Sequence, residues 1–280
     1  MSQRIDENSQ NTLIDIVNAA SSAILEVYEG DFEVHNKADE SPLTQADLAA
    51  HDIIVAGLKK MTPDIPIISE EAAPPSYAER QQWSVYWLVD PLDGTKEFVN
   101  RNGEFTVNIA LIESGRAVFG IVGVPVQNRI YIGDVENGRA YCIEDGVSRS
   151  IRGRAMTAGQ ESLVIVASRS HGGARLEQYL DDLEVHFPRC TRQAVGSSLK
   201  LCTLAAGEAD CYPRLGLTSE WDIGAAHAVL TAAGGEVYKF DRSVLPYNSK
   251  DSLLNPEFVA VADAAFDWWE VLPPQPAQED

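Results

Sequence analysis

Between residues 11 and 29 apolar side chains recur at helical spacing, with Leu13, Ile16, Val17, Ala20, Ile24 and Val27 on one face, which predicts an amphipathic opening helix. The same period in Leu48, Ile54, Val55 and Leu58 predicts a second helix from about 46 to 60, with those four residues on its inner face. Shorter apolar runs then take over. "IPIIS" (65–69), "SVYWLVD" (84–90) and the stretch from Phe105 to Asp134, interrupted by turn signals, read as strands. The first part of the chain is therefore expected to be helices on a largely antiparallel sheet.

Apolar periodicity fades in "IRGRAMTAGQES" (151–162), which predicts a boundary near residue 157. Beyond it "LVIVAS" reads as a strand, 174–182, 197–206 and 220–233 as helices, and "GEVYKF" and "EFVAVA" as strands. Alternation of this kind argues for α/β structure. The expected organisation is an N-terminal α+β domain (1–157) followed by a C-terminal α/β domain (158–280), with a frayed tail, "LPPQPAQED".

Charge narrows the function. The 22 basic and 42 acidic residues give a formal net charge of −20, which disfavours nonspecific binding to nucleic acid, so a phosphate ligand would need local cations. The four cysteines show no CxxC pairing and no zinc spacing, and read as reduced core thiols of a cytoplasmic protein. The polar start "MSQRIDENSQ" does not resemble a signal peptide, and no run is apolar enough to span a bilayer.

The densest chemistry lies in "YWLVDPLDGTKEF" (86–98), where Asp90 and Asp93 stand three positions apart. Carboxylates at close range repel unless a cation, a shared proton or solvent compensates them, so a metal site, an acid pair and a solvated turn are the alternatives. A strand ending at Asp-Pro, followed by Gly94, would let Asp90, the Leu92 carbonyl, Asp93 and the Thr95 hydroxyl converge as a hard oxygen cage suited to magnesium. Glu70 and Glu71 follow another strand and read either as ligands or as a solvated loop. Asp222 with Ser219, and Asp47 with Thr44, fit the spacing of helix capping boxes as well as functional roles.

Taken together, "DPLDGTKEF" (90–98), "SEE" (69–71) and "WDIGAAHAVLTAAGG" (221–235) resemble the signature of the inositol monophosphatase superfamily of magnesium-dependent, lithium-sensitive phosphatases. "SRSH" (168–171), "GSSLKLC" (196–202), "GEADCYPRLGLTSEWD" (207–222) and "LLNPEF" (253–258) are most similar to its bacterial 3′(2′),5′-bisphosphate nucleotidases. The resemblance implies a layered αβαβα sandwich. It implies that Glu70, Asp90 and the Leu92 carbonyl hold one Mg²⁺, that Asp90, Asp93 and Asp222 hold a second, and that a third, weaker ion lies near Glu70. Asp47 and Thr95, with Glu70, would orient and deprotonate the attacking water. Substrate contacts would come from Glu70, Leu92, Asp93, Gly94, Thr95, Asp222, Gly196, Ser197, Lys200, Ser168 and His171. By its spacing alone "VGSSLK" reads either as a helix start whose free backbone N–H groups attract an anion, or as serine N-capping.

The implied activity is removal of the 3′-phosphate of adenosine 3′,5′-bisphosphate, and its sulfated analogue is a further candidate substrate, in sulfur assimilation. The alternatives are an inositol or sugar phosphatase and, in another class, a non-catalytic acidic cation-binding protein. The expected partner is a small nucleotide, with no nucleic acid and no membrane span. A monomer or a homodimer is expected, in the cytoplasm or peripherally on the inner membrane face.

Overall fold

The computed structural model describes residues 5–30, 35–36, 42–167 and 173–277. Helix α1 (Glu7–Glu29) is capped by Asp6, whose carboxylate accepts from Ser9 N–H at 2.8 Å, and it buries Leu13, Ile16, Val17, Ala20 and Ile24. A short ladder, β1 (His35–Asn36) with β2 (Pro42–Leu43), leads into α2 (Gln45–Met61). On α2 the buried face carries Ala46, Asp47, Ala50, Ile54 and Leu58. Leu48, expected on that face, is 46 % exposed, because it lies about 100° round the helix from Asp47. A carboxylate therefore occupies the apolar face of α2.

Seven strands form the larger sheet in the order β3 (Ile67–Ser69), β4 (Val85–Asp93), β5 (Thr106–Glu113), β6 (Arg116–Val124), β7 (Arg129–Asp134), β8 (Arg139–Glu144) and β9 (Val147–Ser150). Only the β3–β4 pairing is parallel. Helices α3 (Tyr77–Arg80) and α4 (Thr95–Val99) flank β4 in sequence. The central strands are covered on both faces, and alternate residues serve different cores. Trp87, Val89, Val107 and Ile109 pack with α1 and α2, whereas Tyr86, Leu88, Ala110 and Ile112 pack with the C-terminal elements.

The second sheet has the order β11 (Arg189–Ala194), β10 (Ser162–Ala167), β12 (Cys211–Arg214), β14 (Phe258–Val261) and β13 (Glu236–Lys239). Helices α6 (Leu199–Ala205) and α7 (Glu220–Ala232) supply the core shared by the two sheets, and α5 (Ala174–Glu184) packs with Trp268 in a third apolar cluster on strands of the smaller sheet. The result is the layered αβαβα arrangement the sequence implied. The tail is less free than expected, since Arg175 donates to the carbonyls of Pro276 and Ala277, each at 2.8 Å.

Helix α7 approaches the large sheet so closely that only glycine fits beneath it. A Cβ on Gly120 would stand 2.0 Å from the Ala225 carbonyl oxygen, and one on Gly133 would stand 2.4 Å from Val229 Cα. Both neighbours are helix backbone and cannot swing aside. Gly120→Ala is therefore expected to lower stability by about 1–3 kcal/mol or more, and to weaken activity by displacing α7. Chemical denaturation checks this, and an unchanged midpoint would contradict the close packing.

Candidate active site

Strand β4 does not end at Asp-Pro. It continues through Pro91 to Asp93, with a register shift that pairs Asp90 with Asn108 and Asp93 with Thr106. The three steps from 90 to 93 thus match two on β5, so the chain bulges where Pro91 has no N–H to give. That bulge sets the two aspartates along one sheet margin. Asp90 is fixed by the Leu92 N–H, which donates to its Oδ1 at 3.0 Å. Gly94 then turns the chain at φ +91°, where a Cβ would also come within 3.2 Å of the Glu104 carbonyl oxygen and of Ser197 Cβ.

Glu70, Asp90, Leu92, Asp93, Gly94, Thr95 and Asp222 line one cleft, together with Ser197 and Lys200. Parallel pairing delivers Glu70 just beyond the end of β3, and the first turn of α7 delivers Asp222. Burial, then the charges of Glu70, Asp93 and Asp222, hold the Asp90 carboxyl well above the usual carboxylate range. Burial and Asp222 do the same to Asp93, although Lys200 and the Ser198 N–H oppose the shift. Asp222 is pushed up to about 7, chiefly by burial, against the pull of the Ser219 N–H. The cluster is short of positive charge.

Oxygen donors of this kind fit a hard divalent cation. Among the described residues no three His, Cys, Asp or Glu side chains are gathered into a ready ligand group. Mg²⁺ keeps several waters and takes few protein ligands alongside phosphate oxygens. Glu70, Asp90, the Leu92 carbonyl, Asp93 and Asp222 are the oxygen-bearing groups of the cleft that could hold such an ion.

Capping and cleft chemistry turn out to share the same side chains. Asp47 Oδ2 accepts from Thr44 N–H at 2.8 Å and from the Thr44 hydroxyl at 2.6 Å, completing a capping box, while Thr95 Oγ1 lies 3.4 Å from Asp47 Oδ1. Asp222 Oδ2 likewise accepts from Ser219 N–H at 2.9 Å. The same helix-start geometry turns Asp47 Oδ1 towards Thr95 and sets Asp222 in the wall of the cleft.

At the start of α6 two of the backbone donors are already taken. Gly196 N–H donates to Glu104 Oε2 at 2.8 Å and Ser198 N–H to Asp93 Oδ2 at 2.6 Å, and Ser198 makes no side-chain cap. Carboxylates therefore stand where an anion was expected. Lys200 is buried, donates to the Val195 carbonyl at 3.3 Å, and lies over the Tyr212 ring. Burial lowers its pKa to about 8, while Asp93 works against the fall. Ser168 and His171 lie outside the described residues.

Sequence reasoning missed Arg214, a second buried cation in the cleft, because "CYPRLG" reads as a plain strand end. Its Nε donates to the Gly216 carbonyl at 3.1 Å and its Nη2 to that of Leu217 at 2.5 Å, which shapes the loop at the cleft rim. His51 was also passed over, yet its Nδ1 lies 2.8 Å from Ser69 Oγ and ties α2 to the end of β3, between Asp47 and Glu70.

A layered αβαβα fold with a carboxylate-lined cleft at the meeting of its two sheets defines the class, and comparison with known proteins agrees. The chain belongs to the inositol monophosphatase family, which it matches over residues 6–268. It is 47 % identical over 241 residues to the 3′(2′),5′-bisphosphate nucleotidase CysQ of Escherichia coli K12, covering 85 % of this chain and 94 % of that protein. The CysQ protein of Buchnera aphidicola is 39 % identical over 251 residues, covering 88 % of this chain and 91 % of its own length. Among solved structures, CysQ from Bacteroides thetaiotaomicron superposes with a TM-score of 0.77 at 42 % identity, over 90 % of this chain and 97 % of that one.

Proposed function

We infer that the protein is a Mg²⁺-dependent phosphatase that removes the 3′-phosphate of adenosine 3′,5′-bisphosphate, releasing AMP and phosphate. The observation that carries the substrate choice is the pair of buried cations, Lys200 and Arg214, in the same cleft as the four carboxylates. A metal-assisted phosphatase of a simple sugar phosphate needs only the acidic end. A substrate with a second phosphate gives Lys200 and Arg214 an anion to bind, and relatives named as bisphosphate nucleotidases support the same choice.

In this reading residues 1–157 supply most of the metal ligands, and residues 158–280 supply Asp222 and the recognition loops. Two principal Mg²⁺ ions and a weaker third would be held by Glu70, Asp90, the Leu92 carbonyl, Asp93 and Asp222. Bound Mg²⁺ supplies the positive charge that draws phosphoryl oxygens into an acidic cleft and offsets charge on the leaving ribose oxygen. Thr95 orients the attacking water and Asp47 takes its proton, with Glu70 assisting from the same cleft. Displacement is in line, and no serine or cysteine nucleophile is required. Four unpaired thiols, Cys142, Cys190, Cys202 and Cys211, suit a reducing cytoplasm. No helix among the described residues is long and apolar enough to cross a membrane.

Phosphate release from adenosine 3′,5′-bisphosphate, its sulfated analogue and inositol 1-phosphate, with and without chelator, tests the reading. Release from the bisphosphates that vanishes with chelator supports it. Faster release from inositol phosphate, or indifference to chelator, overturns it. Lys200→Ala and Arg214→Ala are each expected to raise KM for the bisphosphate at least about tenfold, the worth of one charge-assisted hydrogen bond, while barely altering KM for a simple sugar phosphate. Equal effects on both substrates would count against the nucleotide assignment.

A further inference from the structure

Between the metal-ligand turn and the start of α6 runs a set of side-chain hydrogen bonds linking Ser197 to Thr106, Ser198 and Asn108, three buried residues to which neither the metal nor the substrate reading gives a task. Ser198 Oγ donates to Asn108 Oδ1 at 2.7 Å. Thr106 Oγ1 lies 2.8 Å from Ser198 Oγ and 3.2 Å from Ser197 Oγ. A hydroxyl has one proton, so these contacts admit a single direction. The Ser198 proton is spent on Asn108, so Ser198 accepts from Thr106. The Thr106 proton is then spent in turn, so Thr106 accepts from Ser197. The chain Ser197→Thr106→Ser198→Asn108 is fully ordered, and Thr106, Ser198 and Asn108 are all buried.

Every member of this chain adjoins the site. Thr106 is the ladder partner of Asp93, and the Ser198 N–H holds Asp93 Oδ2 at 2.6 Å. Ser197 has φ +43°, a left-handed backbone that a serine keeps only under constraint, and its Cβ packs against the Gly94 turn. Asn108 pairs with Asp90 in the same ladder, and its Nδ2 has no partner among the described residues. Its buried amide thus depends on the Ser198 hydroxyl.

Building on the metal-dependent reading above, we propose that Thr106, Ser198 and Asn108 are positioning residues whose one-way hydrogen-bond chain locks Asp93 to the strained Ser197 loop. The metal-ligand turn and the substrate loop are set as one unit. None of the three touches the reacting atoms. Loss of one hydroxyl should therefore loosen cation binding and substrate binding together, with little effect on the fold.

The test uses Thr106→Val, which keeps the shape and deletes the hydroxyl, and Thr106→Ser, which restores it. Mg²⁺ binding to the substrate-free protein is measured by calorimetric titration, KM and kcat on adenosine 3′,5′-bisphosphate by phosphate release, and folding by thermal melting. Thr106→Val is expected to weaken Mg²⁺ binding and raise KM, each by about fivefold or more, from the loss of one buried hydrogen bond, and Thr106→Ser is expected to behave like the unaltered protein. Ser198→Ala should reproduce the Val result, and it supplies the measurement if Thr106→Val does not fold. Unchanged Mg²⁺ affinity in a folded Val or Ala variant, or equal loss in Thr106→Ser, overturns the proposal. The titration needs no substrate, so inactivity of the unaltered protein on the bisphosphate would overturn the functional reading while leaving this one to be judged.

Discussion

Replacing Asp93 by asparagine is expected to lower kcat by about 10²- to 10³-fold, the scale of losing one preorganised electrostatic contact at a phosphoryl site, while the metal-free protein melts no lower than the original. Asparagine keeps an oxygen for the Ser198 N–H, so the local hydrogen bond survives. It removes one of the carboxylates that repel one another across the cleft. The metal-free fold thus loses a burden. What the variant gives up is the response to cation: ligand binding adds RT ln(1 + [L]/Kd), about 2.7 kcal/mol at a hundredfold excess over Kd, and the Asp93→Asn protein should gain much less of it. Melting curves with and without Mg²⁺, beside turnover at saturating Mg²⁺, decide the matter. Near-normal turnover with a full Mg²⁺ shift would remove Asp93 from the metal site.

The second large effect concerns Asp47 and Thr95. Asp47→Asn and Thr95→Ala should each reduce kcat by at least about a hundredfold, as expected for loss of a general base, and the double variant should be little worse than either, because the two act as one unit. Asp47 uses one oxygen for the capping box and the other for Thr95. Asparagine offers a single acceptor for those two sets of donors, so a stability cost of about 1 kcal/mol accompanies the rate loss. Mg²⁺ affinity should hold, because neither side chain is assigned to an ion. Kinetics on the three variants with melting curves separate the two roles. A kcat within a few-fold of the original for Asp47→Asn leaves capping as its whole purpose, and additive losses break the dyad.

Asp90, Asp93, Glu70 and Asp222 were legible because each sits where a strand end or helix start has its own local signal, and because their motifs resemble a known family. Asp47 was legible as an ambiguity, cap or base: its Oδ2 makes the cap, and its other oxygen faces Thr95. Other features had no local signal. The contacts of Thr106 and Asn108 with the serines of the α6 loop span about ninety positions, so in sequence both pass for ordinary polar residues of a strand. The donors of Gly196 and Ser198 looked free only because their carboxylate partners, Glu104 and Asp93, are equally distant along the chain. Pro91 suggested a strand end where the chain in fact bulges and continues, since a bulge needs a partner strand to be defined. Leu48 shows the limit of counting apolar positions when a carboxylate holds the centre of the inward face.

The glycine-backed seat of α7 has a consequence for how the chain comes into being. During synthesis the large sheet is complete before α7 has left the ribosome, and Tyr86, Leu88, Ala110, Ile112 and Val122 belong to the core that this helix later closes. The nascent half carries a bare apolar face, the kind of surface that invites aggregation or chaperone capture. It also lacks Asp222, one of the carboxylates of the cleft. Arrival of α7 covers the exposed face and completes the acidic cleft in a single docking event, and a chain stalled before residue 220 would be sticky and inert at once.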